Sequence, residues 1–203
     1  HEPRIEGRRL YGRGACDMKG SLAACMAAGA AAVRERLAGD LLITAVADEE
    51  HSSLGAREIA TRIQADAAIV TEPSGLEQIC IGHKGFAWWE VTTCGRAAHG
   101  SRIDLGIDAI VHAGAVLGEL ERLSRQLATA SHPLLGPGSV HASLIQGGQE
   151  LSSYPAQCTL QLERRTLPGD TPEAIEREQQ TIVERCAEGR NGFSAEVRAL
   201  LWR

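Results

Sequence analysis

The chain has 203 residues, 43% hydrophobic and 23% charged, with a formal net charge of −5; this composition can bury a core and excludes disordered and fibrous classes. Seven aromatic residues stand against 30 alanines, so the core must consist of small aliphatic side chains in tight helix packing. Basic residues are scattered singly, which gives no electrostatic footprint for nucleic acid and favours small-molecule substrates.

The longest small or apolar run, Leu22 to Val33, has 12 residues, short of the roughly 18 to 20 that a membrane span requires. It follows Asp17 and a Gly-Arg-Gly turn, not the basic start of a signal peptide. The six cysteines are far apart and form no C-x-x-C pair, so neither a thiolate zinc site nor a disulfide framework is signalled and a reducing cytoplasm is expected. The chain opens at His1 and closes on Leu-Trp-Arg directly after a strand-like stretch; both ends read as cut.

In chain order, Ser21 to Leu37 reads as an alanine-rich helix, Leu41 to Ala47 as a buried strand, Leu54 to Gln64 as a helix and Ala67 to Val70 as a second buried strand. Continuous apolar strands alternating with helices indicate a parallel α/β sheet. The rhythm changes near residue 78. Phe86 to Cys94 alternates as a strand, and Gly106 to Leu127 reads as a helix with Ile107, Ile110, Leu117, Leu120, Leu123 and Leu127 on one face. Val140 to Ile145 and Cys158 to Arg165 read as a strand pair. Thr171 and Pro172 open a helix to about Cys186, and Phe193 to Ala199 alternates as a last strand. The expected architecture is part of a parallel-sheet catalytic domain over residues 1–81. It is followed over residues 82–203 by an α+β domain of order β-α-β-β-α-β, a four-stranded antiparallel sheet with two helices on one face.

Three acidic motifs carry the chemistry. Gly12-Arg13-Gly14-Ala15-Cys16-Asp17-Met18-Lys19-Gly20 places Asp17 just ahead of a helix, where such a residue alone would cap it. Asp48-Glu49-Glu50 follows one predicted strand and Thr71-Glu72-Pro73-Ser74 the other. Ligand sites of open α/β sheets lie at that carboxyl edge. Carboxylates gathered there raise one another's pKa unless a cation is present, and a divalent metal pair, with one bridging carboxylate and another acting as base, resolves the conflict.

These motifs, with the stretches GRAAHGSRIDLGIDAI and ERRTLPG in the same order, resemble the zinc exopeptidases and deacylases that include acetylornithine deacetylase, succinyl-diaminopimelate desuccinylase, aminoacylase and glutamate carboxypeptidase. The resemblance covers nearly the whole chain. It implies Asp17 as the metal bridge, Glu49 as general base, Glu50 and Glu72 as ligands of one zinc each, with cobalt or manganese as substitutes. It also implies that His99 reaches across a homodimer interface to stabilise an oxyanion, and that Arg165 clamps a substrate carboxylate.

Relatives commonly carry Asn where Ser152 stands, and a hydroxyl reaches less far, so the acyl or amino-acid group is left open. His51, His83, His112, His132 and His141 fall outside matching positions and read as structural or exposed. The zinc-ligating histidines of relatives, one upstream in an H-x-D motif and one downstream of the second domain, have no counterpart here. The parent activity expected is therefore metal-dependent hydrolysis of N-acyl amino acids, with this chain inactive by itself. A dipeptidase or carboxypeptidase, or a non-catalytic dimerisation module, is the alternative.

Overall fold

The computed structural model describes residues 2–75 and 77–203, which divide into two compact units, one up to Cys80 and one from Ile81 to Arg203.

The first unit opens with a hairpin that the sequence reading missed: β1 (Arg4–Glu6) pairs antiparallel with β2 (Arg9–Tyr11) around Gly7, whose φ of 60° suits a two-residue turn. An irregular helical turn, Ala15–Lys19, leads into α1 (Gly20–Ala32), and α2 spans Leu54–Arg62. The first predicted helix thus stops five residues early. Residues 41–47 and 67–70 are not strands, and no described residue of this unit is buried. The expected parallel sheet is absent among the described residues. A parallel ladder needs several neighbours and cover on both faces, whereas this unit offers one alanine-rich helix and one of nine residues. The apolar side chains stay out: Leu42 is 60% exposed and Ile69 90%.

The second unit matches the pattern written in its residues. Strands β3 (Gly85–Cys94), β6 (Ser139–Gly147), β7 (Gln157–Thr166) and β8 (Ser194–Trp202) form one antiparallel sheet of order β6-β7-β3-β8, with a short pair, β4 (Ser131–His132) and β5 (Gly136–Pro137), outside it. Along β3 and β7 alternate residues are buried, and Trp89, Val91, Leu160 and Leu162 pack against α3 (Ala109–Leu127) and α4 (Pro172–Ala187). The helices are capped as their residues direct. Asp108 Oδ1 accepts from the amides of Ile110 and Val111 at 2.9 and 3.0 Å, and Thr171 Oγ1 accepts from Ala174 N at 3.2 Å with Pro172 in the first turn.

That cap corrects the predicted start of α3: Asp108 is extended, and Ile107 bridges to Arg96 instead of entering the helix. The buried stripe also differs from the predicted one. It consists of Ala109, His112, Ala113, Val116, Leu120 and Leu123, while Ile110 and Leu117 remain 43% and 36% exposed. Ala109 and Ala113 pack without a gap against the sheet, while Ile110 and Leu117 lie on a second, outward stripe.

One charge lies inside this unit. Arg164, 4% exposed, reaches from β7 toward α4, with Nε 3.2 Å from Glu178 Oε1, Nη2 3.7 Å from Asp170 Oδ2 and Nη1 donating to the Arg165 carbonyl. Burial pushes the Glu178 carboxyl above its ordinary value, and the Arg164 charge only partly offsets that.

Candidate metal and substrate site

Each acidic motif of the first unit is shaped by local bonds. The Gly12–Gly14 turn closes with Gly14 at φ 72°, and Lys19 anchors it through Nζ to the Arg13 carbonyl at 3.2 Å; Asp17 follows on non-helical backbone, with a cis peptide to Met18. Asp48, read in the sequence only as a neighbour of two glutamates, builds the loop that carries them. Its Oδ2 accepts from Ser52 N at 3.1 Å and Leu54 N at 3.4 Å, and its φ of 62° is one that Asp tolerates. Gly55 is required next to it, since a Cβ there would stand 2.6 Å from Ala47 N. Thr71 is tied to α1 by the Cys25 thiol, Sγ to Oγ1 3.6 Å, which brings the Glu72 segment to the helix that Asp17 precedes.

The three motifs are linked through their charges. The Glu72 carboxyl lies above its ordinary value through partial loss of hydration, then through the negative charges of Glu49, Asp17 and Glu50 and a hydrogen bond with Asp17. Four carboxylates of one sign, all oxygen donors, suit a hard divalent cation. Their positions do not complete a coordination shell: among the described residues no three His, Cys, Asp or Glu side chains stand where they could hold one ion. The four carboxylates are exposed.

In the second unit, His99 and Ser152 are neighbours. The loop after β3 is clipped to the segment before β7 by Gly100 N to Ser152 O at 2.7 Å, Tyr154 N to Ala98 O at 2.8 Å and a bridge of His99 with Ser153. Gly95 permits the crossing, because a Cβ there would strike the carbonyls of Ile107 and Pro155. The Ser101 amide donates to His99 Nδ1 at 3.2 Å, with Ser101 Oγ 2.9 Å from the same nitrogen. An amide can only donate, so Nδ1 accepts and the proton of the neutral ring sits on Nε2.

Arg165 lies elsewhere. It pairs with Phe86 at the far end of β7, eight residues from Gln157, where the chain arrives from Ser152 and Ser153; at roughly 3.4 Å per residue that is about 27 Å. One copy of the sheet therefore holds its His and its Arg apart.

Residues 81–190 match the family described as peptidase dimerisation domain. The chain belongs to that family. Curated relatives of the peptidase dimerisation domain chain include the acetylornithine deacetylase of Myxococcus xanthus, 34% identical over 95% of this chain and 51% of that protein, and the acetylornithine deacetylase of Photorhabdus laumondii, 35% identical over 80% of this chain and 43% of that protein. The chain thus spans about half the length of these relatives. A crystal structure of a hydantoinase/carbamoylase family amidase from Burkholderia ambifaria superposes with a TM-score of 0.51 at 19% identity, over 60% of this chain and 29% of that one; that likeness concerns the fold alone. No helix among the described residues is long and apolar enough to cross a membrane.

Proposed function

We propose that the protein carrying this chain is a metal-dependent amide hydrolase acting on N-acyl amino acids, with zinc foremost and cobalt or manganese as substitutes. The observation that carries this reading is the similarity of the chain to an acetylornithine deacetylase over 95% of its length, and the charges of Glu49, Asp17 and Glu50 acting on the Glu72 carboxyl support it.

In this reading Asp17, Glu50 and Glu72 hold the metal pair and Glu49 takes a proton from the attacking water and returns it to the leaving amine. When bound, the ions supply Lewis-acid polarisation of the amide carbonyl. Arg165 receives the substrate carboxylate, Ser152 lines the acyl or amino-acid pocket, and His99 offers its Nε2 proton to the oxyanion. The spacing of its cysteines supports a cytoplasmic location.

The test uses N-acetylornithine against dipeptides as substrates for the protein expressed from its whole reading frame. Zinc-dependent release of acetate supports the proposal, and cleavage of dipeptides alone turns it toward a peptidase. The 203-residue chain by itself is expected to release no acetate; turnover with stoichiometric zinc would overturn that part.

The separation of Arg165 from His99 supports a homodimer in which one copy lends His99 to the other. The surface best suited is the β6 edge with the outward stripe of α3. Leu144 and Ile145 are 64% and 58% exposed on an unpaired edge strand, beside a groove of about 240 Å³ lined by Leu117, Leu120, Val140 and His141. Exposed apolar edges invite pairing, and a charge placed there blocks it. Leu144→Lys is therefore expected to give a monomer by light scattering at a concentration where the parent is a dimer, while Leu200→Lys on the opposite edge leaves the dimer intact. The reverse result moves the interface to β8.

A further inference from the structure

The face of the sheet turned away from the helices carries a cluster of four side chains to which the acid and His sites give no role. Cross-strand register sets Phe86 opposite Arg165 and Trp88 opposite Glu163. The Trp88 indole Nε1–H donates to Glu163 Oε2 at 3.0 Å, and Arg165 Nε donates to the other carboxylate oxygen, Oε1, at 2.6 Å. Arg165 Cζ stands 5.2 Å from the centroid of Phe86, which lies 5.3 Å from the Trp88 ring.

Glu163 is nearly enclosed, its side chain 13% exposed against 43% for Arg165. Burial alone would raise its carboxyl, but the Trp88 bond, then the bond and charge of Arg165, then the charge of His141, bring it below the ordinary value. An ionised carboxylate accepts through both oxygens, so it can bind indole and guanidinium together.

We propose that Trp88 and Glu163 are positioning residues that fix the Arg165 guanidinium over the Phe86 ring, with its two terminal nitrogens turned out as a preformed fork for the carboxylate of the substrate. This rests on the reading of Arg165 as the carboxylate clamp. A free arginine loses rotamer freedom on binding, and fixing it beforehand removes that loss. The Nε bond with Glu163 leaves the end-on pair of N–H groups, the face that binds a carboxylate in bidentate fashion. Among the described residues neither terminal nitrogen of Arg165 has a hydrogen-bond partner. The opposing effect is plain as well: Glu163 is an anion beside an anion site and, were it not positioning Arg165, it would weaken binding by repulsion.

The two effects predict opposite results for Glu163→Gln. The experiment measures KM and kcat of the metal-loaded protein carrying this chain for N-acetylornithine and for its α-carboxamide. The parent is expected to prefer the carboxylate by about a hundredfold in kcat/KM, as a charge-assisted pair allows. In Glu163→Gln the KM for the carboxylate rises by about tenfold, with kcat within about twofold and the carboxamide unaffected; Trp88→Phe shifts KM the same way by about threefold. In an Arg165→Ala background the preference is gone and adding Glu163→Gln changes nothing more, which a purely structural role would not produce.

In the 203-residue chain, the hydrogen bonds to Glu163 are expected to give Arg165 a slowly exchanging Nε–H resonance and to displace the indole N–H resonance of Trp88; in Glu163→Gln the first is lost and the second returns toward its unbonded position. An unchanged or lower KM for the carboxylate, an equal loss with both probes, or unchanged resonances overturns the proposal. A parent without preference for the carboxylate, or a preference that survives Arg165→Ala, overturns the clamp reading and the positioning with it.

Discussion

Glu49→Gln is expected to lower kcat for amide hydrolysis by about two to four orders of magnitude, the range a general acid–base contributes, without changing the metal content of the protein. Glutamine keeps the size and one acceptor of the side chain but cannot take up a proton. Because Glu49 stands in the acid cluster without being assigned a metal, the variant separates proton transfer from metal binding. Glu50→Gln and Glu72→Gln should instead lose divalent metal, measured by elemental analysis after dialysis. Equal metal loss in all three variants would make Glu49 a ligand and leave the reaction without its base; a kcat within about threefold of the parent would remove Glu49 from the chemistry.

The second large effect concerns stability. Arg164→Met leaves the Glu178 carboxylate without its partner between β7 and α4, and is expected to cost about 3–5 kcal/mol in urea unfolding, the usual range for stranding a buried charge. All three tryptophans, Trp88, Trp89 and Trp202, lie in the second unit, so their fluorescence reports on that unit alone. The double variant Arg164→Met with Glu178→Leu should recover most of the loss, since Asp170, 30% exposed and bonded to Leu167 N at 2.9 Å, keeps hydration and a partner.

The pH dependence has a definite sign. The Glu178 carboxyl is raised in the folded state, so its contribution to stability is present in acid and is lost as pH rises through the folded value. Removing Arg164 raises it further. The deficit of Arg164→Met should therefore be largest near neutrality and shrink as pH falls toward about 3, where a glutamate is protonated in both states. A double variant no more stable than the single one would show that packing, not charge, is at fault.

The second unit was readable in its residues because each signal was local. Alternation along β3 and β7 needed only the pleat, and Thr171 with Pro172 marked a helix start by the backbone groups they satisfy. The start of α3 was misread because apolar residues at helical spacing continue upstream of Asp108, and only the cap and the Arg96–Ile107 bridge decide where the helix begins. The strands expected at 41–47 and 67–70 failed for the opposite reason: their apolar runs presuppose neighbours to pair with, a nonlocal condition that periodicity cannot test. The hairpin around Gly7 went unseen because its three-residue strands are exposed on both faces. At the site, the influence of Asp17, Glu49 and Glu50 on the Glu72 carboxyl could be argued from charge repulsion, whereas Asp48 as loop builder and Glu163 as partner of Arg165 could not. Both look in sequence like ordinary solvated acids, and only their bonds distinguish them.

The distance along β7 between Arg165 and the His99 loop bears on heredity as much as on chemistry. If each centre draws its cation from one copy and its imidazole from the other, a subunit lacking the imidazole spoils the centre of its healthy neighbour, and one lacking the cation spoils its own. Two differently damaged copies can then rebuild one sound centre between them, so that alleles at this locus would poison or rescue each other in pairs.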